Sequence, residues 1–506
     1  MSGPVTTLDL AVLAVYFTLA VGVGFYSHRR SRSRDGFTAG GRSLPGLLTG
    51  LSILATYVSS ISFLALPGKA FASDWNAFVF SLSLPLTAWI AARFVVPFYR
   101  GSQEVSAYSH LERRFGTWAR LYASICYLVT QLARIGTVMY LMALPIQALT
   151  GWEVRSIILA TGLCVTLYSF FGGIVAVIWN DAIQAAVLTV GALACLALMV
   201  AGLPGGPGQL LEVARAHGKL GLGSFGPSLA EPTFFVVLAY GIVINLQNFC
   251  IDQSYVQRYI ASSSPREARK GLWVGALSYL PLSALFLLMG TTLFVFYATR
   301  PELLPAEYLM PGKADSVLPY FIATQLPSGL RGLLIAAIFA AAMSTVSSSL
   351  NSSATILMSD FYERFFTKGI DERRSAAFLH VTTLVWGSLG TGIGLLLVGA
   401  ESALDTWWTL SGVFGGGMLG LFLLGFVSRR PRNTAAVTGV VAGLLVITWM
   451  TVSPRVETLA VIRSPFHDFL TIVFGTATIL LVGLVATRLF PQRDPRFPGS
   501  RGAREP

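Results

Sequence analysis

Charge is scarce in this chain. Only 12% of its 506 residues are Asp, Glu, Lys or Arg, about half the ~25% of an ordinary soluble domain. Cysteine is rarer still: Cys126, Cys164, Cys195 and Cys250 each stand alone in apolar sequence, which argues against a disulfide framework and against a metal cluster. The five histidines, His28, His110, His217, His380 and His467, are equally scattered. No Gly-rich loop ending in Gly-Lys is present, so nucleotide-driven transport is not expected. No basic residue precedes the first apolar run. That run contains Asp9, and its positive cluster follows it, so it reads as a retained span rather than a cleavable signal. About 18 residues follow the last apolar run, too few for an attached catalytic or signalling module.

What fills the space is apolar. The chain is 54% hydrophobic with a mean hydropathy of +0.66, and runs of the ~20 residues needed to cross a bilayer recur along it. The pattern predicts spans at 6–27, 46–68, 76–98, 118–148, 155–172, 180–202, 233–252, 272–298, 317–359, 376–399, 404–427, 434–452 and 467–488, thirteen in all. The one at 317–359 is long enough to be bent or prefaced by a short surface helix. The expected fold class is therefore an all-α, multi-pass membrane protein with one transmembrane domain over 1–506.

Alternate loops carry the positive charge: Arg29, Arg30, Arg32 and Arg34, then Arg100, Arg113 and Arg114, then Arg266, Arg269 and Lys270. Arg373 and Arg374, then Arg429, Arg430 and Arg432, continue the series, and Arg493, Arg496, Arg501 and Arg504 lie in the tail. By the positive-inside rule the N-terminus lies outside and the C-terminus in the cytoplasm, so a multi-pass protein of the cytoplasmic (inner) cell membrane is expected. This bias accounts for the net charge of +12 without a nucleic-acid partner.

Three features carry chemistry. The segment Phe339–Ser353 holds seven hydroxyls and an amide behind an apolar run, and Ser344, Thr345 and Ser348 share a helix face with Ala341. Such a face suits a small hard cation, which takes oxygen ligands, but small residues also let membrane helices pack closely. Arg134 and Asp181 lie inside predicted spans, where an ionisable group costs roughly 2.5–3.5 kcal/mol and needs a partner. Arg134 is either half of a structural ion pair or a carboxylate clamp. Asp181 is either a carboxylate at a helix N-terminus or a cation ligand. Finally, Ala55–Ser62 is a polar, helix-poor stretch in an apolar span, followed by Pro67 and Gly68, as in a discontinuous transporter helix. The matching interruption in the second half is expected where Asn245, Gln247 and Asn248 break the run around Gly241.

The segments TAGGRSLPG, LATYVSSISF, GKAFASDW, SAYSHLERRF, FFGGIVAVIWNDAIQ, VQRYI, AAIFAAAMSTVSSSLNS and GGGMLGLFLLGF together resemble the sodium:solute symporter family, and within it the bacterial sialic acid transporters. The resemblance covers nearly the whole chain. It implies a leucine-transporter fold, with an extra helix at 6–27, a five-plus-five inverted repeat at 46–202 and 233–427, two more helices at 434–488 and a cytoplasmic tail at 489–506.

It also implies a core sodium site on the Ala55, Val58 and Ala341 carbonyls and the Ser344 and Thr345 hydroxyls, with an additional sodium site on Asp181, Ser344, Ser347 and Ser348. The substrate pocket falls on Arg134, Ser59, Ser62, Tyr57, Ala77 and Ser81. Tyr57 stands where a small hydroxyl residue is expected, and Ala77 and Ser81 where relatives carry Phe and Gln, so the pocket is reshaped. The function implied is import of a small solute, foremost a carboxylate such as sialic acid or another sugar acid, by alternating access with two co-transported sodium ions. A monocarboxylate, an amino acid or a neutral sugar are the alternative substrates. An enzyme is not expected, because the serines have no His or Lys at helical spacing to serve as base.

Overall fold

The computed structural model describes residues 5–102, 104–310, 312–366, 371–398, 403–428 and 433–489. Arg429, Arg430, Arg432 and the four tail arginines lie outside them. The described chain is a bundle of helices with no named strand, linked once by an isolated bridge between Leu44 and Ser262. Among the described residues, ten helices are long and apolar enough to cross a membrane, or eleven if one bent pair is counted as a span.

The principal helices are α1 (Thr7–Ser27), α2 (Gly46–Tyr57), α3 (Ser60–Ala72), α4 (Phe78–Ser102), α5 (Thr117–Thr150), α6 (Val154–Ala201) and α7 (Phe234–Ile251). After them come α8 (Gln253–Ala261), α9 (Pro265–Thr299), α10 (Leu330–Ile356), α11 (Glu372–Leu396), α12 (Ala403–Val427), α13 (Asn433–Val452) and α14 (Leu470–Leu489).

Forty-eight residues make α6 about 72 Å long, more than twice the ~30 Å hydrocarbon core. It turns at Gly173, where φ is +51° and a Cβ would lie 2.9 Å from the backbone of Phe37. Only glycine fits there, so the spans expected at 155–172 and 180–202 are its two arms. The long run at 317–359 divides as expected, into a short helix Val317–Gln325 and α10. Asp9 explains why a carboxylate tolerates the first span. It caps α1 with Thr6 and accepts the Gly329 and Gly332 amides at 2.7 and 2.8 Å, which ties α1 to the start of α10.

Two breaks matter for function. Between α2 and α3 the chain bends by 57°, with Val58 and Ser59 extended. The second break is not where the sequence pointed. Helix α7 runs unbroken through Gly241, Asn245, Gln247 and Asn248, and the chain opens instead at Asp252 (φ −72°, ψ 119°). Asn245 is accommodated inside the helix because its side chain finds partners across the bundle: it donates to Ser83 at 2.8 Å and accepts the Tyr57 hydroxyl. Asp252 makes the natural break, since its carboxylate caps α8 by accepting the Ser254 amide at 2.7 Å.

Candidate cation and substrate sites

Ending a helix inside a membrane leaves backbone groups without partners, each costing several kcal/mol. At the α2–α3 break the loss is offset from two directions. Ser59 caps α3 by accepting the Ser62 amide at 3.2 Å. The Ala55 carbonyl accepts the Ser344 hydroxyl of α10 at 3.0 Å, and the same hydroxyl reaches the Ala341 carbonyl at 3.1 Å. Thr345 donates to Ala341 as well, at 3.3 Å. Carbonyls and hydroxyls from two helices thus converge on one point, beside a cavity of about 10 Å³ bounded by Ala55, Val58, Gln184, Ala341 and Ser344. The groups that converge there from α2 and α10 are carbonyl and hydroxyl oxygens, the donor set that a small hard cation takes. Sequence reasoning named four of those five residues, together with Thr345, and missed Gln184.

Near Asp181 the outcome is different. The carboxylate is fully buried, and its Oδ2 accepts both the Ser52 hydroxyl (2.5 Å) and the guanidinium of Arg258 (2.7 Å). Arg258 is itself 1% exposed. The same Nη2 donates to Ser348 at 2.6 Å, Nε donates to Ser52 at 2.7 Å, and Nη1 donates to the Ser254 carbonyl. A fixed cation therefore bridges two residues, Asp181 and Ser348, that the resemblance gives to the additional sodium. Of the two Asp181 oxygens, Oδ1 has no hydrogen-bond partner among the described residues. Ser347 turns back to the Ser344 carbonyl at 3.1 Å. Arg258 falls between the spans expected at 233–252 and 272–298, where a charge carries no signal, and its segment drew attention only as part of the resemblance.

The substrate residues come together in part. Ser62, Ala77 and Ser81 line a vestibule of about 660 Å³ with Tyr240, Tyr279 and His467. Tyr57, Ser59 and Arg134 are not among its walls. Tyr57 packs its ring 4.3 Å from that of Tyr279 and fills space, as its size implies. Arg134, half-buried on α5, lies within electrostatic reach of Asp252 and makes no hydrogen bond or ion pair among the described residues. Sequence reading missed Asp252, which is a polar residue at the edge of an apolar run and signals its role only once the second break is located.

A bundle with two broken helices, an oxygen cradle at one break and a vestibule beside it is the architecture of a cation-coupled secondary transporter. The family model for sodium:solute symporters matches residues 37–443. The sodium/sialic acid symporter NanT of Aliivibrio fischeri is 33% identical over 96% of this chain and 94% of its own length. The sodium/sialic acid symporter SiaT of Proteus mirabilis is 31% identical over 96% and 95%. A solved sodium-coupled sialic acid symporter, in a substrate-bound outward-open state, superimposes with a TM-score of 0.88 at 30% identity, covering 96% of this chain and 98% of that one.

The chain belongs to the sodium:solute symporter family. It is a multi-pass, sodium-coupled symporter of the leucine-transporter fold, and not an enzyme.

Proposed function

We propose that this symporter imports an organic carboxylate, sialic acid or another sugar acid, with two sodium ions per substrate. The observation that carries the carboxylate is Arg134, a guanidinium at membrane depth without a hydrogen bond or ion pair among the described residues, within electrostatic reach of Asp252. A guanidinium matches a carboxylate bidentately, and the substrate's carboxylate completes its pairing. Ser59 and Ser62 offer hydroxyls at the α2–α3 break, while Tyr57, Ala77 and Ser81 shape the remainder. The sialic acid substrates of NanT and SiaT support this class of solute. The Tyr57 ring, held against Tyr279 and Asn245, favours a second reading, a smaller carboxylate.

The core sodium is assigned to the Ala55, Val58 and Ala341 carbonyls with Ser344 and Thr345. The additional sodium is assigned to Asp181 with Ser344, Ser347 and Ser348, and the unshared Asp181 Oδ1 supports that assignment. Two ions suit an anionic solute. At ~100 mV one net charge contributes about 2.3 kcal/mol, and a tenfold sodium gradient adds ~1.4 per ion. One sodium with a monoanion gains only the ~1.4. Two gain roughly 5 kcal/mol, which is more than a thousandfold accumulation.

The proposed repeats are 46–202 and 233–427. The near-identical extended dihedrals of Val58 and Asp252 at the two breaks support them. The alternate basic loops support an N-terminus outside and a C-terminus inside the inner membrane.

The test is uptake of labelled N-acetylneuraminate into proteoliposomes, with and without an inward sodium gradient and against a panel of smaller acids. Sodium-dependent uptake is the expected result, with a sodium Hill coefficient near two that falls to one in Asp181→Ala. Uptake of only a smaller acid would move the substrate, and an unchanged sodium stoichiometry in Asp181→Ala would remove it from the additional site.

A further inference from the structure

Gln184 is buried, at 2% exposure, on the second arm of α6. Its amide nitrogen is committed: Nε2 donates to the Tyr16 hydroxyl of α1 at 3.2 Å, and that hydroxyl donates onward to the Met343 sulfur at 3.4 Å. Its amide oxygen is not. Oε1 has no hydrogen-bond partner among the described residues. A buried carboxamide oxygen without an electropositive neighbour is destabilising, and native structures rarely leave one so. The same side chain bounds the ~10 Å³ cavity on which Ala55, Ala341 and Ser344 converge. Apart from the backbone, the other walls of that cavity are apolar, from Leu54, Ala185, Leu188 and Leu282, so they supply no side-chain donor to Oε1.

We propose that Gln184 is a sodium ligand of this symporter, its Oε1 closing the core oxygen cradle from the α6 side. The proposal rests on the core-site reading above and adds to it. A cradle of backbone carbonyls and hydroxyls from α2 and α10 approaches a cation from two directions, and Gln184 supplies a third. The Tyr16 hydroxyl fixes the amide so that the oxygen is presented with no rearrangement on binding. Three residues earlier, on the same helix face, the free Oδ1 of Asp181 offers the next acceptor.

The test uses the purified full-length protein in detergent, without solute. Sodium affinity is read from sodium-dependent thermal stabilisation and from equilibrium binding of radioactive sodium. Gln184→Leu keeps the shape and removes the oxygen. Gln184→Glu keeps the oxygen and adds charge. Gln184→Leu is expected to raise the half-saturating sodium concentration at least tenfold, and Gln184→Glu to lower it at least threefold. If Gln184→Leu stays within twofold of the parent, the cavity holds no ion that this side chain touches, and the proposal falls. It also falls if Gln184→Glu weakens sodium as much as Gln184→Leu, because the amide then acts as a donor to the carbonyls. Should Gln184→Leu fail to fold, Gln184→Glu decides alone: tightening sustains the proposal and anything else overturns it. Thr345→Ala separates this from the core assignment. If it leaves sodium binding intact while Gln184→Leu weakens it, the inferred hydroxyl ligand is wrong and Gln184 stands.

Discussion

Replacing Arg258 by methionine would strand the Asp181 carboxylate. Arg258 donates hydrogen bonds to Ser52, Ser348, the Ser254 carbonyl and Asp181, and methionine keeps much of the bulk but none of the donors. Both charges of the pair are at or below 1% exposure, so water cannot replace the lost partner. Breaking a buried pair from one side costs about 3–5 kcal/mol, most of it the uncompensated charge. A neutral hydrogen bond lost in the same place would cost about 1–3 kcal/mol. Asp181→Asn in the same chain removes the stranded charge and is expected to restore at least half of the stability lost. Sodium should also stabilise Arg258→Met more than the parent, since a mobile cation then has an unshared carboxylate to bind. The assay is a double-mutant cycle on unfolding in detergent, run in choline and in sodium buffers. A coupling below ~1 kcal/mol between Arg258→Met and Asp181→Asn, with equal sodium stabilisation of variant and parent, would refute the reasoning.

Two further outcomes follow from packing and titration. Gly290 of α9 lies so close to α3 that a Cβ there would meet the Pro67 carbonyl oxygen at 2.1 Å, whereas one on Gly392 of α11 would meet nothing within 4 Å. Gly290→Ala should destabilise by about 1–3 kcal/mol or more, and Gly392→Ala should be nearly neutral, as read by thermal unfolding. His110 sits in the short helix Ser109–Phe115, against the rings of Phe98 and Phe422. Burial first, and then the neighbouring charges of Arg114 and Arg113, push its pKa down from 6.5 to about 4. The fold therefore favours the neutral ring. The stability this contributes is complete above pH 6.5 and is lost as pH falls from there through 4. His110→Phe should flatten that part of the stability profile, and an unchanged acid limb would argue that the ring is not held neutral.

Much of this protein is determined by sequence alone, because a bilayer is a severe solvent. Unpaired backbone is excluded from it, and charge is costly in it, so apolar run length and loop arginines yield the spans, and rare polar groups mark the sites. The serine-rich face of α10 and the polar, helix-poor stretch Ala55–Ser62 were visible for that reason. Tertiary structure alone decided which groups meet. Asn245, Gln247 and Asn248 looked like a helix break, yet α7 continues through them, and Asn245 finds partners in Tyr57 and Ser83, which lie far away in the chain. Asp181 read in sequence as either a helix N-terminal carboxylate or a cation ligand, and only the fold shows that Arg258, 77 positions later, holds one of its oxygens. Gln184 closes one of the segments that carry the resemblance, but nothing in sequence singled it out: a buried glutamine is unremarkable until its nitrogen is seen to be bonded and its oxygen left without a donor. Periodicity and hydropathy are local and are written in the chain. The pairing of one polar atom with another across helices depends on packing, and only the folded bundle specifies it.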